Sequence, residues 1–172
     1  LKWYNLNIPT IVAINGHAYG GGLELICLAD WSYCTKDVHF GFPEVKLGIF
    51  PGLGGTIILP KLIGLTQAKR LILTGKTFNE KDGLKMGLFT KILNSPEDTL
   101  RSALDDAQLI SYNGSYCIKK AKQSIHEGYQ MNNFDNAWNH SLNLYSECFR
   151  SKERIEGIKA YNEKRKPDFE SI

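Results

Sequence analysis

"INGHAYGGGLE", residues Ile14–Glu24, joins an apolar run to a helical-looking segment through three consecutive glycines, Gly20 to Gly22, with a carboxylate two residues past the last of them. Glycine gives up more conformational freedom on ordering than any other residue, so such a run marks a turn that needs bare backbone. Nucleotide readings fail on spacing. A phosphate loop requires G-x-x-x-x-G-K-S/T, and Gly22 stands where the lysine should follow Gly16-x4-Gly21. A dinucleotide turn requires G-x-G-x-x-G, which neither this run nor "GLGG" at Gly52 to Gly55 supplies. Two readings remain. In one, the turn is a tight strand-to-helix corner and Glu24 an ordinary first-turn carboxylate favoured by the helix dipole. In the other, glycine backbone lets a ligand carbonyl reach N–H groups at a helix N-terminus, an oxyanion site.

Glu44 separates the two. It stands 20 residues after Glu24 in "GFPEVKLGIFPGLGG", past a proline that ends a strand and beside a second glycine-rich loop. Addition of water across a polarised double bond needs one group to take a proton from water, another to deliver one to carbon, and backbone donors to hold the enolate charge. Two carboxylates on two glycine-lined turns meet that need.

Outward from this stretch the chain falls into two parts. From Ile8 to about Ile92, apolar runs alternate with glycine turns: "TIVAIN", "WSYCT", "HFGFPEV" and "LFTKIL" read as strands and "GLELICLAD" as a helix, which is α/β grammar. Gly48 to Pro60 reads as a glycine-proline loop, "LTQAKRLILTG" as a helix capped by Gly75, and Asn79 as the N-cap of "EKDGLKMG". From Ser95, itself a cap, the pattern is helical, with further helices expected around Tyr116–Gly128, Phe134–Phe149 and Lys152–Lys164. The expected division is residues 1–94 and 95–172.

Composition bounds the rest. A chain of 172 residues can bury a real core, roughly 68–70% of its unfolded surface. Its formal charge of +3 is dispersed apart from "EKRKP" at Glu163 to Pro167, which is no nucleic-acid signature. Cys27, Cys34, Cys117 and Cys148 form no C-x-x-C pair and have no histidines at zinc spacing, so the reading is a reducing compartment and no structural metal. No apolar run reaches the roughly 18 residues of a membrane span, and a soluble, cytoplasmic chain is expected. The sequence opens on Leu1 rather than methionine and enters an apolar run at once, so a further upstream segment is expected.

These residues resemble the enoyl-CoA hydratase/isomerase (crotonase) superfamily. Four motifs carry the resemblance in order: "PTIVAINGHAYGGGLEL", "FGFPEVKLGIFPGLGGT", "LILTGKTFNEKDGLKMGL" and "EGIKAYNEKRKPDF". The resemblance implies a spiral of ββα turns followed by a C-terminal helical region that packs in trimers, often paired into hexamers. It also implies an acyl-CoA thioester substrate and no separate cofactor. By position, Gly21 resembles the glycine whose N–H is one of two oxyanion donors. Glu24 resembles the glutamate that positions and deprotonates water, Glu44 the one that exchanges the α-carbon proton, and Gly52 the loop glycine that helps hold the water. Tyr161 and Lys164 match tail positions that contact coenzyme A. The other oxyanion donor and much of the coenzyme A loop lie, in the family, upstream of this chain's first strand.

Some positions depart from the family pattern: Ile57 and Ile58 replace a common glutamine and arginine, and Arg70 a common glutamate. His17 reads as structural or solvent-facing, and His39, His126 and His140 share no metal spacing. Trp31, Tyr33 and Phe42 read as core aromatics, and Asp30 as a local structural acceptor. Leu47, Phe50 and Leu53 are read either as core or as the wall of an acyl channel. Leu100, Leu104, Ile110, Ile118, Ile125, Leu142 and Phe149 form apolar stripes larger than a small core would cover, which implies a partner surface.

Overall fold

The computed structural model describes residues 2–172. The apolar run forms β1 (Ile11–Ile14), and the chain then contributes the two-residue strand β2 (Ala18–Tyr19) and helix α1 (Gly21–Cys27). A second turn repeats the order with β3 (Trp31–Thr35), β4 (His39–Gly41), a 3-10 turn at Pro43–Leu47, and helices α2 (Gly55–Ile63) and α3 (Leu65–Thr74). Then come β5 (Thr77–Asn79), α4 (Glu80–Lys85), β6 (Lys91–Leu93) and α5 (Pro96–Ser111). One sheet runs β1-β3-β6, all parallel, with Ile14 opposite Cys34 and Tyr33 opposite Lys91. The other runs β2-β4-β5, parallel then antiparallel, with Phe40 opposite both Ala18 and Phe78. From β1 to β4 the strands alternate between the two sheets, so each parallel pair is joined by a crossover, whereas β4 and β5 are neighbours in one sheet and pair antiparallel.

The chain divides into two compact units, residues up to Asn5 with Thr10–Ala107, and Leu6–Pro9 with Gln108–Ile172. In the first, Leu23, Phe40, Phe42, Leu59 and Ala68 are fully buried, and Phe40 packs on Phe78 and Phe89 at ring separations of 5.6 and 4.7 Å. Asp30 Oδ2 accepts from both the N–H (2.6 Å) and the hydroxyl (2.9 Å) of Thr10, tying the start of β1 to the residue before β3. Tyr33 is buried and its hydroxyl, with the Trp31 indole N–H, donates to Asp106 of α5.

The second unit carries α6 (Ser115–Gly128), α7 (Phe134–Phe149) and α8 (Lys152–Asn162). Asn133 and Ser151 cap α7 and α8 by accepting from Asn136 and Arg154 N–H groups. Among the described residues of this unit, only Leu144 and Ala160 are buried apolar residues, while Ile125, Phe134, Trp138 and Leu142 are exposed.

The strands read in "HFGFPEV" and "LFTKIL" are confined to His39–Gly41, where Pro43 then opens the 3-10 turn, and to Lys91–Leu93, and one loop reading is overturned. The end of the Gly48–Pro60 loop is helical, because α2 begins at Gly55 and runs through Pro60. Proline inside a helix removes a hydrogen bond and costs about 3 kcal/mol. Full burial of Leu59, with Ile58 and Ile63 packed on the core, offsets that cost.

Candidate active site

α1 starts from Gly20, whose backbone φ of 53° is left-handed and suits glycine. Glu24 lies one turn in, its N–H bonded to the Gly20 carbonyl at 2.9 Å. The side chain is 2% exposed, and Oε1 accepts from Leu53 N–H at 2.8 Å and Gly55 N–H at 2.7 Å. Both donors come from the "GLGG" loop. Gly55 is also the first residue of α2, so the carboxylate faces the positive end of a helix. A Cβ on Gly55 would stand 2.9 Å from Glu24 Oε1 and 3.1 Å from Pro51 Cβ, so only glycine lets this amide come so close. Both bonds fall on Oε1, which leaves Oε2 without a protein donor among the described residues. One turn further, burial and then the charge of Glu24 push the Cys27 thiol up to about 12. It stays protonated and offers no nucleophile.

Glu44 is placed differently. Phe42, fully buried, anchors the end of β4, Pro43 opens the 3-10 turn, and Gly48 with φ 74° closes it. Glu44 is 9% exposed, and its Oε2 is buried with no hydrogen-bond partner among the described residues. Native structures leave few buried polar atoms unpaired, so this oxygen is one that a water or a substrate group would satisfy. The same carboxylate lies against the start of α1. A Cβ on Gly20 would sit 2.9 Å from Glu44 Oε1. The two glutamates therefore flank one turn, Glu24 within it and Glu44 against its cap.

Gly21 opens α1, and its N–H is among those that have no partner within the helix. A Cβ there would meet Leu53 Cδ1 at 3.2 Å. Gly52 precedes the Leu53 amide that holds Glu24, and a Cβ on it would meet only the Phe50 carbonyl at 4.0 Å. Leu47, Phe50 and Leu53 are exposed rather than core. His17 is structural, its Nδ1 accepting the His39 N–H at 2.9 Å. Among the described residues no group of three or more His, Cys, Asp or Glu could hold a metal ion.

Tyr161 and Lys164 belong to the second unit, at the exposed end of α8, where Lys164 N–H donates to the Tyr161 carbonyl at 3.2 Å. Lys164 has φ 53°, uncommon for a residue with a side chain. The contacts that hold this turn lie within the "EGIKAYNEKRKPDF" motif. The Arg165 guanidinium grips both oxygens of Glu156 at 2.6 and 3.1 Å, and Asp168 N–H adds a bond at 2.9 Å. Arg165 first, then the Asp168 N–H, holds the Glu156 carboxyl down at about 2. The pairing of Gly20 with Glu44, and of Gly55 and the Leu53 amide with Glu24, is not readable from the sequence. The signal in the sequence was the glycine spacing, but which glycine touches which carboxylate depends on contacts between residues more than 20 positions apart.

Short strands shared between two sheets, with glycine corners that hold two buried carboxylates, define the class of fold and site. The chain belongs to the enoyl-CoA hydratase/isomerase family, whose family model matches residues 1–171. It is 37% identical over 161 residues to crotonyl-CoA hydratase of Syntrophomonas wolfei, covering 94% of this chain and 61% of that protein. It is 38% identical over 162 residues to a probable mitochondrial enoyl-CoA hydratase 2 of Arabidopsis thaliana, covering 94% of this chain and 53% of that one. Among solved structures, enoyl-CoA hydratase from Bacillus anthracis superposes with a TM-score of 0.92 at 33% identity, over 98% of this chain and 65% of that one. The chain thus spans less than two thirds of the length of these relatives. The fold is the crotonase fold, and no described helix is long and apolar enough to cross a membrane.

Proposed function

We propose that the protein hydrates 2-enoyl-CoA thioesters to 3-hydroxyacyl-CoA. The observation that carries the reading is the pair of buried glutamates that flank the start of α1, one oriented by two amides and the other with an oxygen that no donor among the described residues occupies. The thioester oxygen lies at the Gly21 N–H, and charge gathering on it opens the β-carbon to water. Glu24, its Oε1 fixed by Leu53 and Gly55, takes a proton from water through Oε2 while the Gly52 backbone helps hold that water. The hydroxyl goes to the β-carbon, and Glu44 delivers a proton to the α-carbon. No cofactor takes part beyond the coenzyme A of the substrate, which Tyr161 and Lys164 contact at the end of α8.

The complete protein assembles as a trimer or a dimer of trimers through its helical region. The exposure of Leu100, Leu104, Ile125, Leu142 and Phe149 supports that assembly. An enoyl-CoA isomerase would need only the Glu44 carboxylate, and the two-amide clasp on Glu24 favours hydration over it. A dehydratase or decarboxylase of carrier-bound polyketide thioesters would use the same oxyanion site. A thioester-binding or oligomer-forming subunit without catalysis is the reading of another class. Titration with crotonyl-CoA followed by a turnover assay of the complete protein separates these. Hydration supports the proposal, and saturable binding without turnover overturns it in favour of the non-catalytic subunit.

A further inference from the structure

In the second unit α6 and α7 pack antiparallel, and their side-chain pairs record the register. Glu127 meets His140 at 2.6 Å, Ser124 meets Ser141 at 2.9 Å, and Lys120 meets Glu147 at 2.6 Å. One step further along the same seam, Cys117 in the first turn of α6 comes opposite Cys148 in the last turn of α7. Ser151, the cap of α8, joins them: its hydroxyl donates to the Cys148 carbonyl at 2.7 Å and lies 3.9 Å from Cys117 Sγ. Both thiols are free, partly exposed, and line the same groove of about 700 Å3 between α6, α7 and α8. The other cysteines differ in kind. Cys27 and Cys34 are buried, and burial pushes each up to about 12.

We propose that Cys117 and Cys148 form a reversible dithiol–disulfide site that closes across the α6–α7 seam by exchange with a small-molecule disulfide. Cys148 is pushed up to about 11, by burial and then by the neighbouring Cys117 thiol, and acts as the resolving thiol in an exchange that begins at Cys117. Its thiolate displaces one thiolate from the disulfide reagent and forms a mixed disulfide. Cys148 then gives up its proton, and its sulfur attacks the Cys117 sulfur and releases the second reagent thiolate. The two protein thiols lose two electrons and two protons in all, and the reagent becomes two thiols. The new bond staples α6 to α7 and closes a loop of about 30 residues, which restricts the unfolded chain.

The test treats the native chain with glutathione buffers of graded oxidised-to-reduced ratio, traps thiols by alkylation, and maps peptides by mass. The expected product is a linked Cys117–Cys148 peptide within one chain, lighter by two hydrogen atoms, reversed by dithiothreitol. Its melting temperature should exceed that of the reduced chain by roughly 4 °C or more. Cys117→Ser and Cys148→Ser should each leave the remaining thiol as a glutathione adduct. Wild-type chain that yields only glutathione adducts, links between chains, links to Cys27 or Cys34, or no reaction overturns the proposal, and this part of the test needs no variant to fold.

Discussion

Glu24 and Glu44 are both buried and both sit in short helical turns with the carboxylate against a helix start, Glu24 at that of α2 and Glu44 at that of α1, yet the protein treats their oxygens differently. Around Glu24 glycine brings donors in: bare Gly55 lets its amide approach to 2.7 Å, and Leu53 adds a second. Around Glu44 glycine makes room: Gly20 leaves space where a Cβ would stand 2.9 Å from the carboxylate, and Oε2 receives no donor among the described residues. One carboxylate is clasped and the other is given space. A clasped base suits a water that must be aimed at one carbon. An unclasped carboxylate suits a proton that passes between side chain and substrate.

The largest effects should come from removing either carboxylate. Glu24→Gln and Glu44→Gln should each lower hydration of crotonyl-CoA by the complete protein at least ~100-fold, the scale of a positioned acid or base. Unchanged turnover in either variant would remove that residue from the mechanism. Next come the glycines. Gly20→Ala forces a side chain into a positive-φ conformation that residues with a Cβ rarely adopt, at a cost of about 1–3 kcal/mol, and crowds Glu44. It should lower both melting temperature and turnover, whereas Gly52→Ala, with open space around it, should leave the melting temperature near wild type. Equal melting temperatures for the two would contradict the distinction. A smaller loss, about 1 kcal/mol of stability in urea denaturation, is expected for Asn79→Ala, whose side chain caps α4 by accepting from Asp82 N–H at 2.9 Å.

The smallest effect is a pH dependence in the tail. Glu156 is held at about 2 against an ordinary 4.5, so its hold on Arg165 is present above 4.5 and is lost as pH falls through the folded value. Proteolysis of the tail by an acid protease should therefore accelerate between about pH 4.5 and 2, and Glu156→Gln should flatten that profile.

The local pattern made much of this legible. β3 is "WSYCT" as read, α7 has the expected bounds Phe134–Phe149, and Gly75 closes α3 in the left-handed conformation. These features depend on alternation, helical periodicity and one glycine, all of which are local. What escaped depends on distant partners. β2 and β5 are too short to show a period and exist because Phe40 pairs with Ala18 and Phe78. α2 carries a proline that argues against a helix, and burial of Leu59 overrides it. "LFTKIL" is a strand only at Lys91–Leu93, since Leu88 turns back to bond the Gly83 carbonyl. At the site, the glycine run and both glutamates were visible, but not that Gly20 belongs with Glu44 and Gly55 with Glu24.

The division of labour between the two carboxylates is tested most directly by hydrogen exchange at the α-carbon. A saturated acyl-CoA incubated in deuterium oxide with the complete protein offers no double bond to hydrate, so α-exchange reports proton transfer alone. Glu24→Gln should still incorporate deuterium at the α-carbon, and Glu44→Gln should not. Equal loss of exchange in both variants, or exchange that survives Glu44→Gln, would contradict the assignment of the clasped carboxylate to water and the unclasped one to carbon.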